Sequence, residues 1–199
     1  MAERTDDIDA LHAKIDQLLA QNQELRLRLD VLSTLDPATG LLNSHGVEEA
    51  LSAAAARGQR TGEPFALMFI SFPGLLRIGE EMGPGDAQEE LRHVGAMVTA
   101  TLRAMDRVGR HDDSSFLAVL PQLEHAGVEA VVDRLVGNLY AMPSGAGLDP
   151  MTPVPVFSVV LSAEGAEADD LLEALPDARL AAVPGSPGVV TVAARSDSS

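Results

Sequence analysis

Four polar side chains in a row, Asp112-Asp113-Ser114-Ser115, place two carboxylates and two hydroxyls in one short stretch. Carboxylates are the natural ligands for hard divalent cations. The stretch lies between Arg107-Val108 and the apolar Phe116 to Leu120, so it reads as the tip of a β-hairpin, where Asp and Ser bond readily to nearby backbone. Neighbouring residues of an extended hairpin point to opposite faces, so Asp112 and Asp113 form a poor chelating pair, and a solvated tip is the plainer reading. Just upstream, Arg103-Ala104-Met105-Asp106 sets a guanidinium near a carboxylate at the predicted end of a long helix. A guanidinium makes paired bonds to a phosphate and a carboxylate accepts from N–H groups, which makes Arg103 and Asp106 a candidate binding pair. Both also have structural uses: Arg near a helix C-terminus favours the dipole, and Asp at a helix-to-strand turn caps backbone donors. A phosphate ligand would need a further basic group, for which Arg107, Arg110 and Arg134 are available.

Other titratable groups point to less. Glu80-Glu81 and Glu89-Glu90 read as exposed helix charges, and His12, His93 and His125 lack the spacing of zinc ligands. His45 and His111 read as surface or packing groups. Without cysteine, disulfides, thiolate metal sites and thiol catalysis are excluded. No metal and no cofactor is expected. The formal charge of -16 opposes DNA, RNA and anionic membranes, which are bound mainly through clustered Lys and Arg. With no Trp and one Tyr, the chain also lacks the aromatic surface that stacks single-stranded nucleic acid. A protein partner is easier to accommodate.

The elements that must position these residues can be read in order. A chain of 199 residues, 46% apolar with mean hydropathy +0.09, suits one folded domain plus an appendage. No apolar run approaches the roughly 18 to 20 residues that cross a bilayer, so a cytoplasmic location is expected. Residues 8 to 32 carry a heptad with Ile8, Ile15, Asn22 and Leu29 at one apolar position and Leu11, Leu18, Leu25 and Leu32 at the other. Ile at the first position, Leu at the second and a lone Asn predict a parallel two-stranded coiled coil, hence a homodimer. Asp36-Pro37 and Gly40 end that helix and divide the chain into a coil, 1–34, a globular domain, 35–194, and a disordered tail, 195–199. Within the domain the pattern predicts a helix over 44–57, a strand over 65–72 buried on both faces, and a short helix ending at Met82. A long helix over 86–105, the hairpin, a helix over 126–139 and a Pro- and Gly-rich loop over 142–155 follow. Last come a strand over 156–161, a helix over 169–182 that Pro176 should kink or restart, and an edge strand over 189–194. The order β, α, β, β, α, β predicts an α/β (α+β) ferredoxin-like domain: a mostly antiparallel sheet with helices packed on one face.

At these residues the chain resembles the GGDEF domain family of diguanylate cyclases. Leu35-Asp36-Pro37-Ala38-Thr39-Gly40-Leu41-Leu42-Asn43 is similar to the family's opening segment, and Asp112, Asp113, Ser114, Ser115 and Phe116 stand at its five signature positions, of which only the Phe is kept. The resemblance implies a cyclase pocket built from metal-binding carboxylates, and this chain has Ser71 and Ser115 at those positions. The signature glycines become Asp112 and Asp113, the guanine-reading Asn and Asp fall at Gly79 and Gln88, and the phosphate-binding Lys pair falls near Leu76 and Val183. Pro73 replaces a second Asp at the strand end. The RxxD spacing of Arg103 and Asp106 resembles the family's inhibitory site for cyclic di-GMP.

The expectation is a catalytically inactive GGDEF-like module, dimerised by its coil, that regulates or binds an unknown protein partner and receives cyclic di-GMP through Arg103 and Asp106. The alternatives are a nucleotide-independent protein-binding scaffold and, last, an active cyclase making cyclic di-GMP from GTP. Nucleic acid and membrane are not expected partners.

Overall fold

The computed structural model describes residues 33–140, 155–183 and 187–192, together with 14, 15, 17–19 and 21. The chain divides into two units, Met1–Thr34 and Leu35–Ser199. In the first, residues 14, 15, 17–19 and 21 are helical, and Ile15, Leu18 and Leu19 are exposed. The remaining seam positions, Ile8, Leu11, Asn22, Leu25, Leu29 and Leu32, lie outside the described residues, as do nearly all of the 142–155 loop and the 195–199 tail. Among the described residues no helix is long and apolar enough to cross a membrane.

The second unit opens with helix α1 (Ser44–Thr61), whose first turn is closed by the Asn43 carboxamide oxygen accepting from the Gly46 N–H at 2.9 Å. Its buried stripe, Val47, Leu51, Ala54 and Ala55, recurs at helical spacing. The helix runs one turn beyond the expected stop because Gly62, at φ 71°, provides the left-handed cap, and Gly58 stays within it. A Cβ on Gly58 would stand 3.0 Å from the Glu63 carbonyl, so the glycine serves close packing there.

Strand β1 (Phe65–Ser71) follows, then α2 (Pro73–Glu81), α3 (Pro84–Thr101), and the hairpin of β2 (Arg107–Arg110) and β3 (Ser115–Pro121). Helix α4 (His125–Tyr140), β4 (Val156–Ser162), α5 (Ala168–Ala181) and β5 (Gly188–Val192) complete the domain. The sheet order is β2-β3-β1-β4-β5, with β1 antiparallel to both neighbours and β5 parallel to β4 at the edge. The four strands β2, β3, β1 and β4 have the ferredoxin-like arrangement.

The expectation of helices on one face is corrected by the core. Ala66, Met68 and Ile70 pack with Leu91, Val94 and Val98 of α3 and Val128 and Leu135 of α4. On the other face Phe65, Leu67 and Phe69 pack with Val47 and Leu51 of α1 and Leu171 and Leu175 of α5. A strand apolar on both faces needs cover on both, and side chains alternate across it.

Two helix ends differ from the sequence reading for local reasons. α3 stops at Thr101 instead of Met105: Leu102 turns extended at ψ 169°, and the Asp106 carboxylate draws the Arg103 N–H into a turn at 2.7 Å. α5 runs through Pro176 without restarting. Pro176 is on an exposed side, where water can satisfy the carbonyl that loses its intrahelical donor.

The edge of β2 is covered by the chain's own opening segment. The Leu42 N–H donates to Val108 O at 3.1 Å and the Arg110 N–H to Leu42 O at 2.8 Å. Gly109 permits this approach: a Cβ there would fall on Val47 Cγ2 and lie 2.8 Å from Leu42 O. Gly109→Ala is expected to destabilise the domain by about 1–3 kcal/mol, the usual range for overpacking. Urea midpoints would measure it, and an unchanged midpoint would refute the close-packing role.

Candidate functional site

The register of β1 and β3 places Ser71 directly opposite Ser115 at the hairpin end of the sheet. The Phe72 N–H donates to Ser114 O at 2.7 Å, which locks the strand end to the hairpin. Ser115 is fully buried and its hydroxyl makes no hydrogen bond of good geometry, although it lies close enough to Asp112 to favour that group's charge. Ser71 is half-buried.

The two tip carboxylates do different work. Asp112 Oδ1 accepts from the Ser114 N–H at 2.8 Å and the Ser114 hydroxyl at 3.1 Å, closing the turn. Burial opposes its charge, but those bonds outweigh it and hold the carboxyl below its ordinary pKa. Asp113, whose side chain is 85% exposed, accepts from Arg110 Nη2 at 2.6 Å. Arg110 Nη1 lies 3.4 Å from Asp36 Oδ2, and Asp36 Oδ1 in turn accepts from the Thr39 N–H and hydroxyl. Asp36, Arg110 and Asp113 thus form one chain of charges joining the opening segment to the tip.

Beside this chain a cavity of about 390 Å³ opens between α2 and α3, lined by Leu75, Leu76, Gly79, Pro84, Ala87, Gln88 and Leu91 with Arg110 and Asp113. The structure therefore gathers Leu76, Gly79 and Gln88 at one place, although none of them carries charge. Val183 lies just past the end of α5, outside the lining of that cavity. The His111 ring meets Phe69 edge-on at 5.5 Å, and Arg179 stacks over the same Phe69 at 4.3 Å, so His111 is a packing group.

The donor set does not fit a divalent cation. Ser71 and Ser115 are neutral, Asp112 holds the turn through Oδ1, and Asp113 faces solvent and pairs with Arg110, so the two carboxylates do not converge on one point between the serines. Among the described residues no three His, Asp or Glu side chains form a metal-binding group.

Arg103 and Asp106 stand in the turn after α3, not on the helix. Asp106 Oδ2 accepts from the Arg103 N–H at 2.7 Å, the Asp106 N–H donates to Arg103 O at 3.0 Å, and Arg107 Nη1 donates to Ala104 O at 2.9 Å. Burial pushes the Asp106 carboxyl above its ordinary pKa, against the Arg103 bond and the positive charges of Arg103, Arg134 and Arg107. Both residues line a cavity of about 280 Å³ with Leu35, Leu41 and Leu102. Of the extra basic groups, Arg107 and Arg134 act on Asp106, whereas Arg110 is committed to Asp36 and Asp113.

Glu90 corrects the reading of exposed helix charges. It is 7% exposed on α3, its Oε1 has no hydrogen-bond partner, and its Oε2 lies 3.7 Å from His93 Nδ1. Burial raises its pKa despite His93. Its spacing from Val94, Met97 and Thr101 is helical, and that was the available signal.

Known proteins agree with this architecture. Residues 33–178 match the diguanylate cyclase, GGDEF domain, family, and the chain belongs to it. The fold is similar to the diguanylate cyclase SiaD of Pseudomonas aeruginosa, solved with its activator SiaC: TM-score 0.68, 21% identity, 96% of this chain and 74% of that one covered. It is similar also to the coiled coil and GGDEF domain of DgcB from Caulobacter crescentus, solved with c-di-GMP: TM-score 0.68, 16% identity, 92% and 99% covered. The GGDEF domain of PA1120 (TpbB or YfiN) from Pseudomonas aeruginosa superposes with TM-score 0.65 at 21% identity, covering 81% and 94%. At these identities the likeness concerns the fold. No curated protein matches the chain in sequence.

Asp106 makes a pH-dependent contribution to stability. With the folded pKa above the ordinary 3.8, protonation favours the fold, so the contribution is present at low pH and lost as pH rises through the folded value. Asp106→Asn keeps an acceptor for the Arg103 N–H but does not titrate. The stability difference between wild type and variant is expected to shift toward wild type as pH falls from about 7 to about 4, read from urea midpoints. A difference that stays flat with pH would refute this.

Proposed function

We propose that this chain is a catalytically inactive GGDEF domain, dimeric through its N-terminal heptad, that works as a regulatory and interaction module in the cytoplasm. The observation that supports the reading is the Ser71–Ser115 pair, facing in register where the family resemblance implies metal-binding carboxylates. A neutral hydroxyl does not replace a carboxylate in holding a hard cation, and the Ser115 hydroxyl is buried in the sheet. Asp112 and Asp113 add negative charge where the family's glycines let a triphosphate approach, which opposes the substrate. The mechanism is binding: a partner engages the domain, and the ties from Arg110 to Asp36 carry the state of the tip to the segment that follows the heptad.

Incubation with GTP and magnesium or manganese is expected to give no cyclic di-GMP by chromatography, from protein whose mass by light scattering is that of a dimer. Product formation would overturn the inactive reading, and a monomeric mass would overturn the dimer.

A second reading is favoured by the exposed Arg103 beside half-buried Asp106, in the positive field of Arg107 and Arg134. The domain is then a receptor for cyclic di-GMP, the molecule bound in the DgcB structure. Asp106 would offer its second carboxylate oxygen, since Oδ2 holds the Arg103 N–H. Calorimetric titration with cyclic di-GMP is expected to give binding in the wild type that Arg103→Ala abolishes. No heat in the wild type, or equal binding by the variant, would remove this reading and leave the nucleotide-independent scaffold.

A further inference from the structure

We propose that the cavity between α2 and α3 is a docking site for a cationic segment of a partner protein that carries an aliphatic or aromatic anchor residue. The inference deepens the interaction-module reading and rests on it, because it requires that no nucleotide occupies this place.

Shape and lining argue for an apolar anchor. Leu75, Leu91 and Ala87 wall a space of about 390 Å³, within the range of side-chain and small-ligand pockets. The apolar lining reaches solvent at Leu76, which is 55% exposed. A large apolar side chain left exposed at the rim of an apolar cavity favours a surface that a partner covers.

Charge argues for cations around that anchor. Asp113 lies at the cavity with most of its carboxylate in solvent, Asp112 stays ionised through its Ser114 bonds, and Glu80 is exposed immediately after Gly79. The local bases are largely committed: Arg110 is shared between Asp36 and Asp113, and Arg77 Nε lies 3.6 Å from Glu81. Arg92 remains as an exposed base on α3. The chain's formal charge of -16 adds a field that draws cationic segments and repels anionic ones.

The test uses two short lysine-rich peptides of equal charge, one bearing a Leu-Phe pair and the other Ser-Ser, titrated into the full methyl-labelled chain and followed by NMR. The Leu-Phe peptide is expected to shift the methyls of Leu75, Leu76, Ala87 and Leu91 and to bind about tenfold or more tightly than the Ser-Ser peptide, the worth of a buried apolar side chain. Ala87→Phe, which fills the cavity, and Leu76→Ser, at an exposed position that leaves the core intact, should each remove the difference between the peptides. Asp113→Asn should weaken both. Equal binding of the two peptides by the wild type, or shifts centred elsewhere, would overturn the docking site. Incubating the same preparation with GTP separates the failures: cyclic di-GMP would refute the inactive reading, whereas a product-free protein that treats the peptides alike refutes only the docking site.

Discussion

Burial of β1 on both edges and both faces is the constraint on which the rest of the domain depends. Its backbone is hydrogen-bonded to β3 and β4, and its alternating side chains enter two separate cores. Buried backbone polar groups must be paired, so the neighbouring strands cannot slip without unpairing them. The same register that satisfies the backbone sets Ser71 against Ser115 and brings the hairpin tip to the mouth of the α2–α3 cavity. The placement of the strand ends is therefore a consequence of core packing, while the turn between them is closed by Asp112.

That separation leaves the chemistry of the tip to its own side chains. A carboxylate at Ser71 or Ser115 would have to be held against desolvation and mutual repulsion, and without a bound cation such a pair is costly. Hydroxyls avoid the repulsion, although the Ser115 oxygen is left without a hydrogen bond inside the sheet. The charge lies at the tip instead. Asp112 and Asp113 sit where one closes a turn and the other meets a guanidinium, so both are stabilised without metal.

Much of the fold was legible because strong signals coincide. The apolar run from Phe65 and the polar break between Val108 and Phe116 marked the central strand and the hairpin within a residue or two. Boundaries failed where a tertiary partner outbid local preference. Gly58 stays helical because the cap is at Gly62, and Arg103 leaves the helix because Asp106 captures its N–H. The second helical layer was implied by the two-faced strand yet not drawn from it. In the site, the gathering of Leu76, Gly79 and Gln88 followed from the family resemblance. The Asp36–Arg110 tie could not be read, because the partners are 74 residues apart and pair only through the docking of Leu42 on β2.

That docking imposes an order on assembly. The segment from Leu35 to Leu42 precedes every described strand, yet its hydrogen bonds go to β2 and its carboxylate to Arg110. These contacts are long-range, and the loop-closure entropy they cost is recovered only once the hairpin exists. Residues at the start of the domain must wait until β2 has been made, 74 residues on at Arg110, before they find their place. The joint beside the heptad is thus a late-forming contact.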